Sequence, residues 1–342
     1  MKVAVLDLGS SSFRLVVAKG GPRGSIRPVL RKRAPLHLGR VVGSLGTIPE
    51  PEATDAVETV LRFRRLAEQA GAKRIITVAT SALRDAANRE EMAARLEEAG
   101  GGPIRFLTGD EEAALTFAAM RAAHSVGEEP VLGLDLGGGS LEIAVGNRST
   151  LEWTGSFELG SSRLSGRFIR HDPPTPAERS RLVAHVLKAL GPLEPDLAAF
   201  RPVRCIAAGG TVKALARLAA AERLGSAPVS VGGAVLRVGK LNKLADALLT
   251  RDHDERLAMA GMNPERADVL GAGASVLASA LTLFGFPQLV ASDWGLREGI
   301  ILQALGVIDP VRDARSRPLH LGGTWTSGSR KPGSKRAASG GR

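Results

Sequence analysis

The chain has 342 residues, which is enough for two domains of ordinary size that each bury a core. Hydrophobic residues make up 44% and charged residues 24%, a balance typical of a water-soluble globular protein. With no Tyr, nine Phe and three Trp, the chain has few of the aromatic side chains on which nucleic-acid bases stack. A nucleic acid is therefore not expected as the main partner.

The net charge of +11 is concentrated at the C-terminal end. Residues 312–342 carry eight Lys and Arg against a single acid, Asp313, and are rich in Gly, Ser and Pro. This composition predicts a disordered basic tail. The tail could tether a polyanion, but a solvated end with no role in the main function is the favoured interpretation.

Cysteine usage and hydropathy predict a cytoplasmic protein that does not enter a membrane. Cys205 is the only cysteine, so no intramolecular disulfide can form, and its apolar surroundings indicate a core thiol. Asp7 and Arg14 interrupt the apolar stretch that a signal peptide would need. Residues 269–292 are uncharged, but their Gly, Ser and Pro residues predict a buried helix followed by a strand.

In chain order, apolar runs and helical periodicity alternate through the first half. They predict strands at 3–7, 12–18, 27–37, 74–79 and 104–107, and helices near 51–70, 88–99 and 111–123. This alternation is typical of an α/β fold.

The second half begins again at Val131 with two strands, and a third is predicted at 151–157. Thr175, Pro176 and Glu178 have the spacing of a capping box, which predicts that a helix begins there. The remaining predicted elements are a strand at 203–208, a helix at 211–221, and helices across 237–305 with one strand at 288–292.

The two halves open with nearly the same sequence. Residues 3–18 read VAVLDLGSSSFRLVVA and residues 131–146 read VLGLDLGGGSLEIAVG, with seven of sixteen residues identical. Each copy predicts a β-hairpin whose tip contains only small residues, with Asp7 or Asp135 at its root. Two α/β halves that begin alike predict two related lobes around a cleft.

Such hairpin tips let backbone N–H groups and hydroxyls approach a phosphate closely, and the Asp at the root can hold a metal, directly or through water. Two facing tips would grip a chain of phosphates. The alternative is that the glycines only allow the hairpins to turn. The matched Asp in both copies argues against that alternative.

The hairpin pair and five further motifs resemble the exopolyphosphatase/guanosine pentaphosphate phosphohydrolase family (Ppx/GppA). The motifs are ATSALRDAANRE at 79–90, TGDEEAALTF at 108–117, AAGGTVKALARL at 207–218, NPERADVLGAG at 263–273 and WGLREGII at 294–301. The resemblance implies two related actin-like (ribonuclease H-like) ATPase-fold lobes around a central cleft, in the short two-domain form. Ser11 stands where members often have Asn, which predicts changed affinity rather than lost function.

We place the N-terminal lobe at 1–125, joined by a helix near 296–308, and the C-terminal lobe at 126–295. The resemblance implies an exopolyphosphatase that releases terminal phosphate from inorganic polyphosphate by metal-dependent attack of water. The close alternative is hydrolysis of guanosine pentaphosphate (pppGpp). A phosphate-binding regulator with little turnover and a sugar kinase or actin-like ATPase are the alternatives from other classes. A homodimer is left open.

Attack by water needs a base. By resemblance, the Glu before Ala in the EEA element is the catalytic base, and here that residue is Glu112. Glu111 is given a supporting or capping role. Without the resemblance, both acids would be interpreted as stabilising the positive N-terminal end of the helix at 111–123.

The phosphate-binding residues are expected from both hairpin tips: Ser10, Ser11, Ser12, Gly137, Gly138, Gly139 and Ser140. Arg14 in the first hairpin corresponds to Glu142 in the second. Arg14 is expected to clamp phosphate, whereas Glu142, with Asp135 and Asp7, is expected to hold Mg²⁺ or Mn²⁺. A salt bridge between Arg14 and Glu142 is the alternative.

Three further features have an interpretation by resemblance or by charge. Arg84 corresponds to a family arginine that binds phosphate. Gly209-Gly210-Thr211 resembles a segment that contacts nucleotide in the ATPases of the superfamily. The alternative is that in this chain the segment only supports the cleft. Residues 19–40 contain seven Lys and Arg and no acid, which would either extend a track for a long anionic chain or be ordinary exposed charge.

Overall fold

The computed structural model describes residues 1–21 and 25–308, and its first half forms one five-stranded sheet with helices around it. The elements of this half are β1 (Lys2–Leu8), β2 (Ser12–Gly20), β3 (Ile26–Pro35), α1 (Leu38–Leu45), α2 (Glu50–Gln69), β4 (Arg74–Ala79), α3 (Ser81–Asp85), α4 (Arg89–Gly100), β5 (Ile104–Phe106) and α5 (Gly109–Ala123). The predicted basic tail at 312–342 lies outside the described residues.

The second half forms a six-stranded sheet and carries the longer run of helices. Its elements are β6 (Val131–Leu136), β7 (Leu141–Gly146), β8 (Leu151–Phe157), α6 (Ser161–Phe168), α7 (Pro176–Leu190), α8 (Glu194–Ala199), β9 (Cys205–Ala208), α9 (Gly210–Leu224), β10 (Val235–Arg237), α10 (Val238–Thr250), α11 (His253–Leu257), α12 (Leu270–Leu283), β11 (Gln288–Ala291) and α13 (Leu296–Ala304). Short 3₁₀ helices lie at Gly191–Leu193 and Pro264–Arg266.

The two sheets have the same strand order, which confirms the predicted pair of related α/β lobes. The first sheet runs β3-β2-β1-β4-β5, and the second runs β8-β7-β6-β9-β11 with β10 added at the edge. In each sheet the first three strands are antiparallel, and the next two run parallel to the first strand of the hairpin. This is the actin-like, ribonuclease H-like arrangement.

The repeated sequences form equivalent hairpins with the same register. β1 pairs with β2 so that Asp7 lies opposite Arg14, and β6 pairs with β7 so that Asp135 lies opposite Glu142. Directly opposite residues in an antiparallel pair point to the same face of the sheet. The hairpin of the first lobe therefore presents an Asp beside an Arg, and the hairpin of the second lobe presents two acidic side chains.

Helices cover both faces of the first sheet, as its buried strands require. Ala4 and Leu6 of β1 pack into one apolar cluster, while Val5 between them packs into another that contains Ile300 and Ile301 of α13. α13 follows the second sheet in the chain but packs against the first lobe. The lobe boundaries placed at 125/126 and 295/296 stay predictions, as do the cytoplasmic location and the homodimer.

Most of the predicted elements are confirmed within a few residues, and the capping box at Thr175 and Glu178 is present. The helix and strand predicted within 269–292 are α12 and β11. Among the described residues, none of the helices combines the length and apolar character needed to cross a membrane.

The elements that were not predicted from the sequence are short, with eight residues or fewer each: α1, α3, α6, α8 and β10. Two helical turns contain too few residues to show a period of 3.6. The strand predicted to reach residue 37 ends at Pro35, because His37 adopts a left-handed backbone conformation with φ 52° and α1 begins after it.

Packing between α13 and α5 generates a stability prediction. A Cβ atom added at Gly299 would lie 2.1 Å from the backbone oxygen of Leu115, whereas one added at Gly239 in α10 would meet nothing within 4 Å. Gly299→Ala should therefore lower the free energy of unfolding by about 1–3 kcal/mol, measured by denaturant unfolding. Gly239→Ala, the control, should raise it by up to about 1 kcal/mol. Equal effects of the two substitutions would contradict this tight approach of the helices.

Candidate active site

The tips of the two hairpins meet between the lobes. Ser11 Oγ lies 3.0 Å from Ser162 Oγ of α6, and a Cβ atom added at Gly138 would lie 1.9 Å from Ser11 Oγ. A Cβ atom at Gly139 would lie 2.3 Å from Ser81 Oγ. Glycine in the second tip is thus required for the close approach of the first lobe, in addition to any requirement of the turn.

The serines of the first tip are held in defined positions. Ser10 Oγ lies 2.7 Å from Ser81 Oγ and accepts a hydrogen bond from the Ala82 backbone N–H. Ser12 Oγ accepts hydrogen bonds from Nε of Arg14 at 3.1 Å and Nε of Arg33 at 3.2 Å. The hydroxyls are therefore oriented before any ligand binds.

One cleft between the lobes brings together nearly all the residues that the sequence indicates. The cleft is lined by Asp7, Gly9, Ser10, Ser11, Ser12, Arg14, Thr80, Ser81, Glu112, Asp135, Gly137, Gly138, Gly139, Ser140, Glu142, Gly209, Gly210, Lys213, Arg266, Gly295, Leu296 and Arg297. Of the predicted site residues, Arg84 is absent from this lining.

Three carboxylates of the cleft belong to Glu112 and Glu142, which are buried, and Asp135, which is half-buried. Thr116 Oγ1 donates to Asp135 Oδ2 at 3.0 Å, and Ser156 Oγ donates to Glu142 Oε1 at 2.9 Å. Glu112 follows the cap residue of α5 by four positions, which places it in the first turn of that helix, and its carboxylate is near enough to Glu142 for the two charges to repel each other.

Burial and mutual repulsion raise the pKa of these acids. Burial, then the charge of Asp135, raises the pKa of Glu142 to about 7. Burial, then the charge of Glu142, raises the pKa of Glu112 well above its ordinary value, and burial raises that of Asp135. Asp135 and Glu142 have no ion-pair partner among the described residues, so this part of the cleft favours a bound cation.

Asp7, which was assigned to the metal with them, has a different neighbour. Its Oδ2 lies 3.4 Å from Nη1 of Arg297 in α13. Within residues 1–21 and 25–308, no three acidic, His or Cys side chains are grouped as a ready-made metal site. Two carboxylates are nevertheless enough for Mg²⁺, which usually completes its shell with waters and substrate phosphates. Asp135 and Glu142 therefore fit the ion, and the assignment of Asp7 to it stays a prediction.

Four cations also line the cleft, and three of them were not identified from the sequence. Lys213, Arg266 and Arg297 lie within the motifs AAGGTVKALARL, NPERADVLGAG and WGLREGII. Each motif contributed to the family resemblance as a whole, so the motifs were the signal that could have found these side chains. Together with Arg14 they surround the cleft with positive charge.

These cations are held close to one another in a buried site, which lowers their pKa values. Burial, then the charges of Arg297 and Arg266, lowers the pKa of Arg14 to about 9. Burial lowers the pKa of Lys213 to about 8, and burial with the charge of Arg33 lowers that of Arg266 to about 10. A bound anion would relieve this repulsion.

Arg84 contacts the acid that was assigned as the base. Its Nη1 lies 2.9 Å from Glu112 Oε1 and also donates to the backbone oxygen of Leu107. This places Arg84 behind Glu112, and its assignment to phosphate stays a prediction. The alternative salt bridge between Arg14 and Glu142 does not form.

Two further predicted features have structural roles, whereas the basic run at 19–40 lies partly outside the described residues and its two interpretations stay predictions. Glu111 forms a capping box with Thr108 at the start of α5, which confirms its capping role. Gly209 has φ 102°, and a Cβ atom there would lie 2.4 Å from the backbone oxygen of Leu136. The Gly209-Gly210-Thr211 segment thus packs against the root of the second hairpin and supports the cleft.

Comparison with known proteins agrees with the geometry. A model of the Ppx/GppA phosphatase family matches residues 16–307 of the chain. Exopolyphosphatase 1 of Mycobacterium tuberculosis is 32% identical over 310 residues, which cover 89% of this chain and 88% of that protein.

Two solved structures resemble the fold over nearly its whole length. An exopolyphosphatase from Cytophaga hutchinsonii is 26% identical with a TM-score of 0.82, covering 91% of this chain and 99% of that one. The Ppx/GppA family member from Aquifex aeolicus is 28% identical with a TM-score of 0.74, covering 89% and 97%.

The lowered pKa of Lys213 predicts how anion binding depends on pH. Lys213 loses its proton as the pH rises through about 8, so the affinity for pyrophosphate should fall between pH 7 and pH 9. Lys213→Arg keeps the charge across this range and should flatten the fall, measured by titration calorimetry without divalent metal. Lys240→Arg, a substitution at a side chain paired with Glu222, is the control. An unchanged pH profile in Lys213→Arg would contradict a role for Lys213 in the anion site.

Proposed function

Because the chain belongs to the Ppx/GppA phosphatase family, we propose that it is an exopolyphosphatase, a hydrolase that releases the terminal phosphate of inorganic polyphosphate. The observation that carries this proposal is a cleft lined by four acids, four cations and the small residues of both hairpin tips. Water attack at a phosphoryl group needs donors around its oxygens, positive charge and a base, and the cleft contains all three.

The hairpin tips bind and orient the terminal phosphate in this proposal. Backbone N–H groups of 137–139 and the hydroxyls of Ser10, Ser11, Ser12 and Ser140 donate to its oxygens from both lobes. Arg14 and Lys213 balance its charge, and the charge that develops on the leaving phosphate chain as the bridging P–O bond breaks.

Glu112 accepts the proton of the attacking water at a carboxylate oxygen. Burial and the charge of Glu142 raise its pKa, which makes the ionised carboxylate a stronger base than an ordinary one. Arg84 fixes one oxygen of Glu112 at 2.9 Å, so the carboxylate cannot rotate freely. Arg84 is then a positioning residue for the base.

Asp135 and Glu142 would hold the Mg²⁺ or Mn²⁺ ion through their carboxylate oxygens. When bound, the ion neutralises phosphate charge and polarises a phosphoryl oxygen. Thr116 and Ser156 orient the two carboxylates by hydrogen bonds to them.

The same cleft would accept the 5′-triphosphate of pppGpp, since the reacting group is chemically the same. Incubation with polyphosphate, pppGpp and ATP, each with Mg²⁺, separates these activities from one another and from a regulator with little turnover. Release of orthophosphate from polyphosphate ahead of the other two is the expected result. Turnover of none of the three would overturn the proposal.

Glu112→Gln should leave substrate binding in place and lower kcat by about 10²–10⁴-fold, because the amide cannot accept the proton of water. Glu111→Gln is the matched control: glutamine retains the capping box with Thr108, so kcat should stay within about twofold of the original value. A loss of less than about tenfold in Glu112→Gln would show that Glu112 is not the base. Steady-state release of phosphate measures both.

Asp135→Ala and Glu142→Ala should raise the Mg²⁺ concentration that gives half-maximal activity and should weaken Mn²⁺ binding followed by electron paramagnetic resonance. Arg14→Ala changes the equivalent position of the other hairpin, so it should leave the metal titration in place and raise KM. If the metal titrations of Asp135→Ala and Glu142→Ala are the same as that of the original protein, these carboxylates do not bind the ion.

A further inference from the structure

Four arginine side chains lie close together where the sheet of the first lobe meets the second lobe. Arg14 and Arg33 lie opposite each other on β2 and β3, and both donate to Ser12 Oγ. Arg266 approaches from the second lobe: a Cβ atom added at Gly210 would lie 2.1 Å from Nη2 of Arg266 and 3.2 Å from Nη2 of Arg14. Arg297 of α13 completes the group.

Only two of these four cations have an acidic partner within the described residues. Arg297 pairs with Asp7, and Arg33 pairs with Glu265. Arg14 and Arg266 form no ion pair with any residue in the described ranges, and both line the cleft. Two of the four guanidinium groups, those of Arg14 and Arg266, are therefore available to bind an anion. The other two already bind a carboxylate.

The pair of Arg33 and Glu265 has a particular place in this set. Glu265 lies in the 3₁₀ turn Pro264–Arg266 directly before Arg266, and its backbone N–H donates to Asn263 Oδ1 at 3.1 Å. Its side chain is 42% exposed, and that of Arg33 is 25% exposed. The ion pair thus bridges the two lobes between solvent and the buried side chains of the cleft.

We propose that Glu265 determines which phosphate chains the cleft prefers, by occupying the guanidinium of Arg33 that a longer chain would otherwise bind. The inference rests on the proposed function for its substrate class. A carboxylate and a phosphate compete for the same guanidinium donors. A single phosphate between the hairpin tips does not need Arg33, whereas a chain that runs outward past Ser12 meets it.

The physical argument sets the direction of the effect. Removing the charge of Glu265 leaves Arg33 without its partner beside three other cations, and its pKa is already lowered by burial and by Arg297. An unpaired guanidinium in such a group gains more from an anion than a paired one. Neutral residues at position 265 should therefore favour tripolyphosphate over orthophosphate.

The test measures binding in EDTA with the full-length chain, so that it does not depend on turnover. By titration calorimetry, Glu265→Gln should tighten tripolyphosphate binding by about three- to tenfold at low salt, with a change of less than about twofold for orthophosphate. Glu265→Asp, which keeps the charge, and Glu222→Gln, which removes the acid that pairs with Lys240, should bind tripolyphosphate like the original chain. Glu265→Ser provides a second neutral variant.

Arg33→Gln separates this role from a general change in charge. The double variant Arg33→Gln with Glu265→Gln should lose the gain that Glu265→Gln shows alone. The inference is overturned if Glu265→Gln and Glu265→Ser leave tripolyphosphate binding unchanged, if orthophosphate gains equally, or if the gain persists without Arg33. If the expected pattern of binding appears in a protein that hydrolyses no phosphate chain, the proposed function fails while this inference stands.

Discussion

The arrangement of the cleft depends on two like charges that are forced together in a buried site. Asp135 and Glu142 lie opposite each other on paired strands, so the register of one hairpin fixes their separation. Neither has an ion-pair partner among the described residues, and burial makes their ionised forms unfavourable. A divalent cation would remove this cost, and the hydroxyls of Thr116 and Ser156 are placed to hold the carboxylates for it.

The repeated hairpin shows how one backbone serves two chemical purposes. Arg14 and Glu142 occupy equivalent positions opposite an Asp, and their opposite charges give the two lobes different preferences. In the proposed function, the first hairpin binds phosphate oxygens through Arg14, and the second would hold a cation through Asp135 and Glu142. The glycines of the second tip allow the two lobes to come close together.

The fold was largely predictable because its signals are local. The hairpin repeat, the capping box at Thr175 and the alternation of strands with helices each lie within a short stretch of sequence, and each has a counterpart in the structure. The contacts of the site are not local. The approach of Arg84 to Glu112, 28 positions apart, and of Arg297 to Asp7, 290 positions apart, depends on packing between elements that no sequence period encodes.

Helix α5 has a consequence for motion between the lobes. The chain passes from the first lobe to the second after α5 and returns before α13, which packs on α5, so both covalent crossings lie beside this helix. Two neighbouring crossings form a hinge, which favours rotation of one lobe relative to the other about a single axis. Atoms near that axis move least, and Thr116 keeps its bond to Asp135 from within α5. Rotation about this axis would therefore keep Asp135 beside α5 while the far edge of the cleft opens.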